Sequence, residues 1–107
     1  MKGKSGVAVK LLANWDIKPG QEMAFFNFVI QEFAPTMMRI GLRPTETWYT
    51  VYGDAPQILA SAEANDLETM HRILGGNEWE ELKSKLLNYV TNFRLTVVPS
   101  TGRFQIF

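Results

Sequence analysis

Four side chains in this sequence combine the groups needed to hold an electron-rich molecule and steady its anion: Asn14, Trp48, Tyr52 and Arg94. Asn14 and Tyr52 offer hydrogen bonds, Arg94 a permanent positive charge, and Trp48 a flat stacking wall. Strand-period alternation puts all four on one side of a sheet, together with Lys10, Leu12, Glu46, Thr50 and Thr96. The plainer account of each is an amphipathic sheet side chain that pairs across strands and takes part in no reaction. His71, the one histidine of the chain, is the fifth candidate. It stands beside Leu67 and Leu74 at the edge of an apolar helical stripe, where a packed or half-exposed imidazole is the ordinary outcome. Glu68 and His71 have the Glu-x-x-His spacing of di-iron bundles, but that chemistry needs two such pairs, so no metal is expected.

Other chemistry lacks its parts. The chain has no cysteine, which removes thiol catalysis, thiolate metal sites and disulfides together. Gly75-Gly76 has no Lys-Ser/Thr partner for a phosphate loop, and there is no Gly-x-Ser-x-Gly nucleophile elbow. Eleven basic residues balance eleven acidic ones, leaving no long-range field to gather nucleic acid or an anionic membrane. No apolar run approaches the roughly 20 residues of a membrane helix, and the lysines of Met1 to Gly6 have no apolar signal core behind them. The expectation is a cytoplasmic protein with no cofactor, no nucleic-acid partner and no membrane association.

The elements that must position the candidates follow from periodicity. A first strand spans about Val7 to Trp15. Pro19 then suits a first helical turn, and a helix is expected to run to about Arg39, with Met23, Phe26, Ile30, Phe33, Met37 and Ile40 as its core stripe. Pro35 predicts a kink, or the end of regular α-helix near Phe33. On this helical wheel Phe25 and Phe28 fall outside the stripe, suggesting a second buried surface. A second strand, about Thr45 to Tyr52, and a third, about Gln57 to Ala64, flank the hairpin loop Gly53-Asp54-Ala55-Pro56. Asp66 caps a short helix carrying Leu67, Met70, Ile73 and Leu74, which Gly75-Gly76 breaks. Asn77 and Glu80 read as a capping box that restarts it, with Trp79, Leu82, Leu86, Tyr89 and Val90 inward and Glu81 paired to Lys85. A fourth strand spans about Phe93 to Val98, and the alternating tail Gly102 to Phe107 is expected to dock.

This order, strand, helix, strand, strand, helix, strand, fills the 107 residues as a single α+β domain of the ferredoxin-like βαββαβ type. Its four-stranded antiparallel sheet carries both helical stretches on one face. The other face, roughly 400 Å² from strand spacing and length, must meet water, a ligand or a second copy of the chain.

The element order, Lys18-Pro19-Gly20 opening the first helix, Trp48-Tyr49-Thr50 on the second strand and Glu78-Trp79-Glu80-Glu81-Leu82 on the last helix resemble the dimeric α/β-barrel superfamily. Within it the chain is most similar to NIPSNAP-like proteins and small antibiotic-biosynthesis-monooxygenase-type domains, from about Val7 to Val98. The resemblance implies a homodimer whose open sheet faces pack into a barrel, with a small apolar or aromatic molecule held between sheet and helices. It also implies a choice of activities. Cofactor-independent monooxygenase chemistry would draw on Asn14, Trp48, Tyr52 and Arg94. Haem degradation would ask for an Asn, a Trp and a helical His, here loosely matched by Asn14, Trp48 and His71. A non-catalytic dimerisation module, its interior filled by side chains, is the alternative.

Overall fold

A computed structural model describes residues 8–50 and 57–99. Tyr52, the hairpin loop and the tail Gly102 to Phe107 lie outside the described residues. Four strands, β1 (Val9–Ile17), β2 (Arg43–Tyr49), β3 (Ile58–Ala64) and β4 (Val90–Pro99), form one antiparallel sheet in the order β2-β3-β1-β4. Around them stand α1 (Glu22–Phe28), a π-helical turn (Val29–Phe33), α2 (Ala34–Ile40), α3 (Leu67–Leu74) and α4 (Asn77–Leu86). The βαββαβ order and the antiparallel sheet agree with the sequence-based expectation.

Central strand β1 shows how the sheet divides inside from outside. Its odd positions, Val9 to Ile17, are buried in the same cluster as the helix residues, while even positions Lys10, Leu12, Asn14 and Asp16 are only half-buried. Because side chains alternate with period two, the partners follow: Ala60 and Ala62 of β3 and Leu95 and Val97 of β4 share the helix side. Two irregularities adjust the edges. One extra residue in β2 between Pro44 and Glu46 lets Thr45 share a 2.6 Å hydrogen bond with Ser61. In β4 the bulge contains Asn92 in the left-handed region (φ 57), and its amide donates to Asp16 at 2.8 Å. The bulge lets pairing begin at Val90, earlier than the Phe93 expected from alternation, because an extra residue hides the period from a linear count.

The first helix overturns its expected stripe. Phe25 and Phe28 are core residues, 2% and 8% exposed, whereas Met23 and Ile30 are 76% and 72% exposed and Phe26 is exposed as well. The π turn is the physical reason. Its wider i to i+5 bonding, seen where the Ala34 N–H donates to the Val29 carbonyl, inserts one extra residue and moves the stripe from helical 3-4 spacing to Phe25, Phe28, Phe33 and Met37. Pro35 stands near the start of α2, immediately after this turn, so its missing N–H falls where the α-pattern has already given way. Regular α-helix therefore stops at Phe28, five residues before Phe33. The two phenylalanines mark no second surface.

Smaller features fall on either side of expectation. Asp66 caps α3, accepting from the Thr69 backbone N–H at 2.8 Å, and Trp79, Leu82 and Leu86 face inward on α4. Asn77 does not cap: the N-cap of α4 is Gly76, which accepts from Glu80 N–H through its carbonyl. Lys85 pairs with Glu32 of the π turn and not with Glu81, tying α4 across to the first helical stretch, as Arg39 of α2 does with Glu78. Leu67 is exposed, leaving Met70 and Ile73 as the inward pair of α3. At the end of α2, Gly41 takes φ 108 and the Leu42 N–H reaches back to the Met37 carbonyl at 2.9 Å, burying Leu42 completely.

Candidate functional site

Short side chains under a broad roof make the space that matters most. The inward positions of β3 include Ala60 and Ala62, and Ala13 of β1 lies directly opposite Ala60. Alanine is a poor strand former, and a floor built of it leaves room beneath helices that rest on larger neighbours. Above the floor, Phe25 of α1, Phe33 of the π turn and Trp79 of α4 close the space. The result is a cavity of about 150 Å³. Phe26, Pro44 and Thr47 line it and are themselves exposed, so it meets the surface between α1 and edge strand β2. Tyr49 flanks that mouth, its ring edge-on to Phe26 at 6.0 Å.

Trp15 is the central wall. Its ring meets Phe25 and Phe33 edge to face at 6.1 and 6.3 Å and lies tilted against Phe93 at 5.8 Å, geometries that aromatic quadrupoles favour. Among the described residues, no ionisable side chain lines the cavity. Its polar chemistry is correspondingly sparse. The Ser61 hydroxyl is engaged with Thr45; the Trp15 indole N–H is sealed within the packing and has no hydrogen-bond partner among the described residues. A buried donor left in that state costs about 1–3 kcal/mol.

The sequence-derived candidates stand elsewhere. Trp48 is opposite Leu59, Leu59 opposite Asn14, and Asn14 opposite Arg94, so these side chains form one row across the open face of the sheet. Register thus brings Asn14, Trp48 and Arg94 onto one line. They lie across the sheet from the cavity, however, and none of them lines it. The row is half apolar, Trp48 being 51% and Leu59 40% exposed. His71 lies on exposed positions of α3 in the helical layer, so the sheet separates it from Asn14 and Trp48, and the three cannot grip one haem within a single chain. Among the described residues, no cluster of metal-ligating side chains occurs. Tyr52 is outside the described residues.

The residues that sequence reasoning missed are Trp15 and the alanines of β3. A signal was present: Ile58-Leu59-Ala60-Ser61-Ala62-Glu63-Ala64 places alanine at three of its four inward positions, where a packed sheet would carry branched side chains.

Four antiparallel strands with helices over one face and a lined cavity between the layers define a ferredoxin-like α+β protein. NIPSNAP-like proteins share this fold. One, a NIPSNAP-like domain protein from Burkholderia xenovorans, matches with a TM-score of 0.66 at 18% identity, covering 89% of this chain and 86% of its own. An ethyl tert-butyl ether d (EthD) family protein from Bacillus halodurans matches with a TM-score of 0.68 at 18% identity, covering 88% of this chain and 99% of its own. A dimeric protein of unknown function with a ferredoxin-like fold, from Bacteroides fragilis, gives 0.59 at 13% identity and covers 87% and 96% of the two chains. At such identities the likeness establishes the fold. No protein-family model matches the sequence, and no curated protein does. Among the described residues no helix is long and apolar enough to cross a membrane.

Proposed function

We propose that this chain is a small-molecule-binding protein that works as a homodimer, taking one small apolar or aromatic molecule into the cavity between sheet and helices of each copy. The observation that carries this is the cavity: about 150 Å³ of space walled by Trp15, Phe25 and Phe33. Dry apolar cavities of about this volume take up benzene. It is smaller than the roughly 300–1,000 Å³ of a drug-sized pocket, which sets the ligand at one ring. Binding would draw on apolar burial at about 25 cal/mol per Å², with no ionic contact from the described lining.

Pairing is supported by the row Trp48, Leu59 and Asn14 on the open face, where two large apolar side chains stand half in water, and by the dimeric fold neighbour. Monooxygenase-type chemistry would need a base or anion-stabilising group beside the ligand. Asn14 and Arg94 stand across the sheet, so oxygen chemistry in the cavity would depend on a substrate that ionises in solution. The alternative, a non-catalytic dimerisation module, keeps the paired faces and leaves the cavity without a natural occupant.

Titration calorimetry with benzene, beside sedimentation of the free protein, tests both parts. Saturable uptake of about one benzene per chain and a mass of two chains are expected. A protein that takes up no benzene is not the binder described, and one that stays monomeric at micromolar concentration has no paired sheet face.

A further inference from the structure

The cavity has a polar end and an apolar end, and the sheet register shows where each lies. Thr47 of β2 pairs with Ala60 of β3, and Ala60 with Ala13 of β1. All three line the cavity, so they mark a row that runs inward from the edge strand over two strand spacings, about 10 Å. Thr47 is exposed at the mouth, whereas Ala13 is buried, as are Trp15, Phe25 and Trp79 of the surrounding wall. Ser61 is the other hydroxyl residue of the lining. It pairs with Leu12, between inward Ala60 and Ala62, so alternation turns its side chain to the open face, where Thr45 engages it. The Thr47 hydroxyl has no hydrogen-bond partner among the described residues.

Resting on the binding function proposed above, we infer that the ligand class is a neutral single-ring phenol, bound with its ring over Ala60 and its hydroxyl at the mouth, hydrogen-bonded to Thr47. An apolar pocket with one placed polar group fixes the orientation of what it binds. The inner end of the ligand must be apolar, because a polar group near Ala13 would be buried without a partner and would cost more than a hydrogen bond returns. A charged group fares worse, since among the described residues no ionisable side chain lines the space to pair with it. At the mouth a hydroxyl keeps both Thr47 and solvent within reach. Threonine is also an ordinary strand residue; what gives Thr47 its role is its place at the outer end of the alanine row.

Binding of p-cresol and p-xylene, nearly identical in shape and differing at one end of the ring, separates this inference from the function it rests on. In nuclear Overhauser spectra of the unmodified protein, the p-cresol methyl should contact the Ala13 methyl, and the ring protons flanking its hydroxyl should contact the Thr47 methyl. Thr47→Val, equal in shape, should weaken p-cresol binding about fivefold, the worth of one neutral hydrogen bond, and change p-xylene binding little. If neither of these ligands nor benzene enters, the cavity is no binding site and the function falls. If a plain hydrocarbon enters and p-cresol does not, if p-cresol binds with its methyl toward Thr47 or in both directions alike, or if Thr47→Val leaves its affinity unchanged, the cavity binds without a polar end and the inference is overturned. The contacts in the unmodified protein settle the orientation even if Thr47→Val does not fold.

Discussion

Filling the cavity from its floor should make the protein more stable and stop it binding. An empty apolar space of about 150 Å³ carries a cost of about 3.6 kcal/mol, at ~24 cal/mol per Å³. Ala60 is half-buried, lines the space and sits opposite Ala13 in the register, so a longer side chain there projects into the void. Ala60→Leu adds three carbons, worth at most about 2.4 kcal/mol at ~0.8 kcal/mol per buried methylene. Imperfect fit takes back about 1 kcal/mol. A net gain of about 1.4 kcal/mol should raise the melting temperature by roughly 6 °C or more, using about 4–8 °C per kcal/mol for a domain near this size. Ala60→Val should gain about half as much. Thermal melts followed by circular dichroism measure the first effect, and benzene calorimetry the second, which should fall at least tenfold for Ala60→Leu. Better strand propensity alone could raise the melting point, so the two readouts must move together. A variant that melts lower and still binds benzene as before would show that the void does not lie over Ala60, and the account of the alanine floor would be wrong.

The π turn yields a second prediction. Deleting exposed Gln31 restores 3-4 spacing to the stripe but drives Pro35 into helix interior, so the deletion alone should cost about 3 kcal/mol, while the same deletion combined with Pro35→Ala should recover most of that loss in a urea titration. If Pro35→Ala makes no difference to the deletion, Pro35 does not favour the turn. Asp66 gives a pH dependence. Hydrogen bonds from Thr69, side chain first and then backbone, hold its carboxyl below the ordinary carboxylate value, with Arg72 assisting. A lowered folded-state pKa contributes stability that is complete above the unfolded value of about 4 and is lost as pH falls through the folded one. The melting-temperature gap between the unmodified protein and Asp66→Ala should therefore hold steady above about pH 5 and close below about pH 4; a gap that persists undiminished in acid would contradict the capping role. Trp48→Glu, placing a charge on the open face at its β2 edge, should turn a dimer into a folded monomer on sedimentation, and an unchanged mass would locate pairing elsewhere.

Element order was legible in the chain because it is written in local periods. Alternation marked β1, Asp66 marked the start of α3, and Trp79, Leu82 and Leu86 marked the inward side of α4, each through neighbours a few residues away. The same period, applied along α1, misplaced Phe25 and Phe28. One extra residue in a π turn shifts every later position of a stripe, and a linear count assumes that none is present. The open-face row behaved differently: strand alternation put Asn14, Trp48 and Arg94 on one side, but only the pairing register, which involves residues tens of positions apart, lined them up through Leu59.

The cavity was decided by tertiary structure alone. Sequence fixes that Ala13, Ala60 and Ala62 are small and that Trp15 is large, yet whether small residues leave a void depends on how closely the opposing helices can approach. That distance is set by Phe25, Phe33, Trp79 and the π turn acting together. A hydrogen-bond donor is likewise a property of any tryptophan, but its isolation belongs to the packed interior, since only burial removes the water that would otherwise satisfy it.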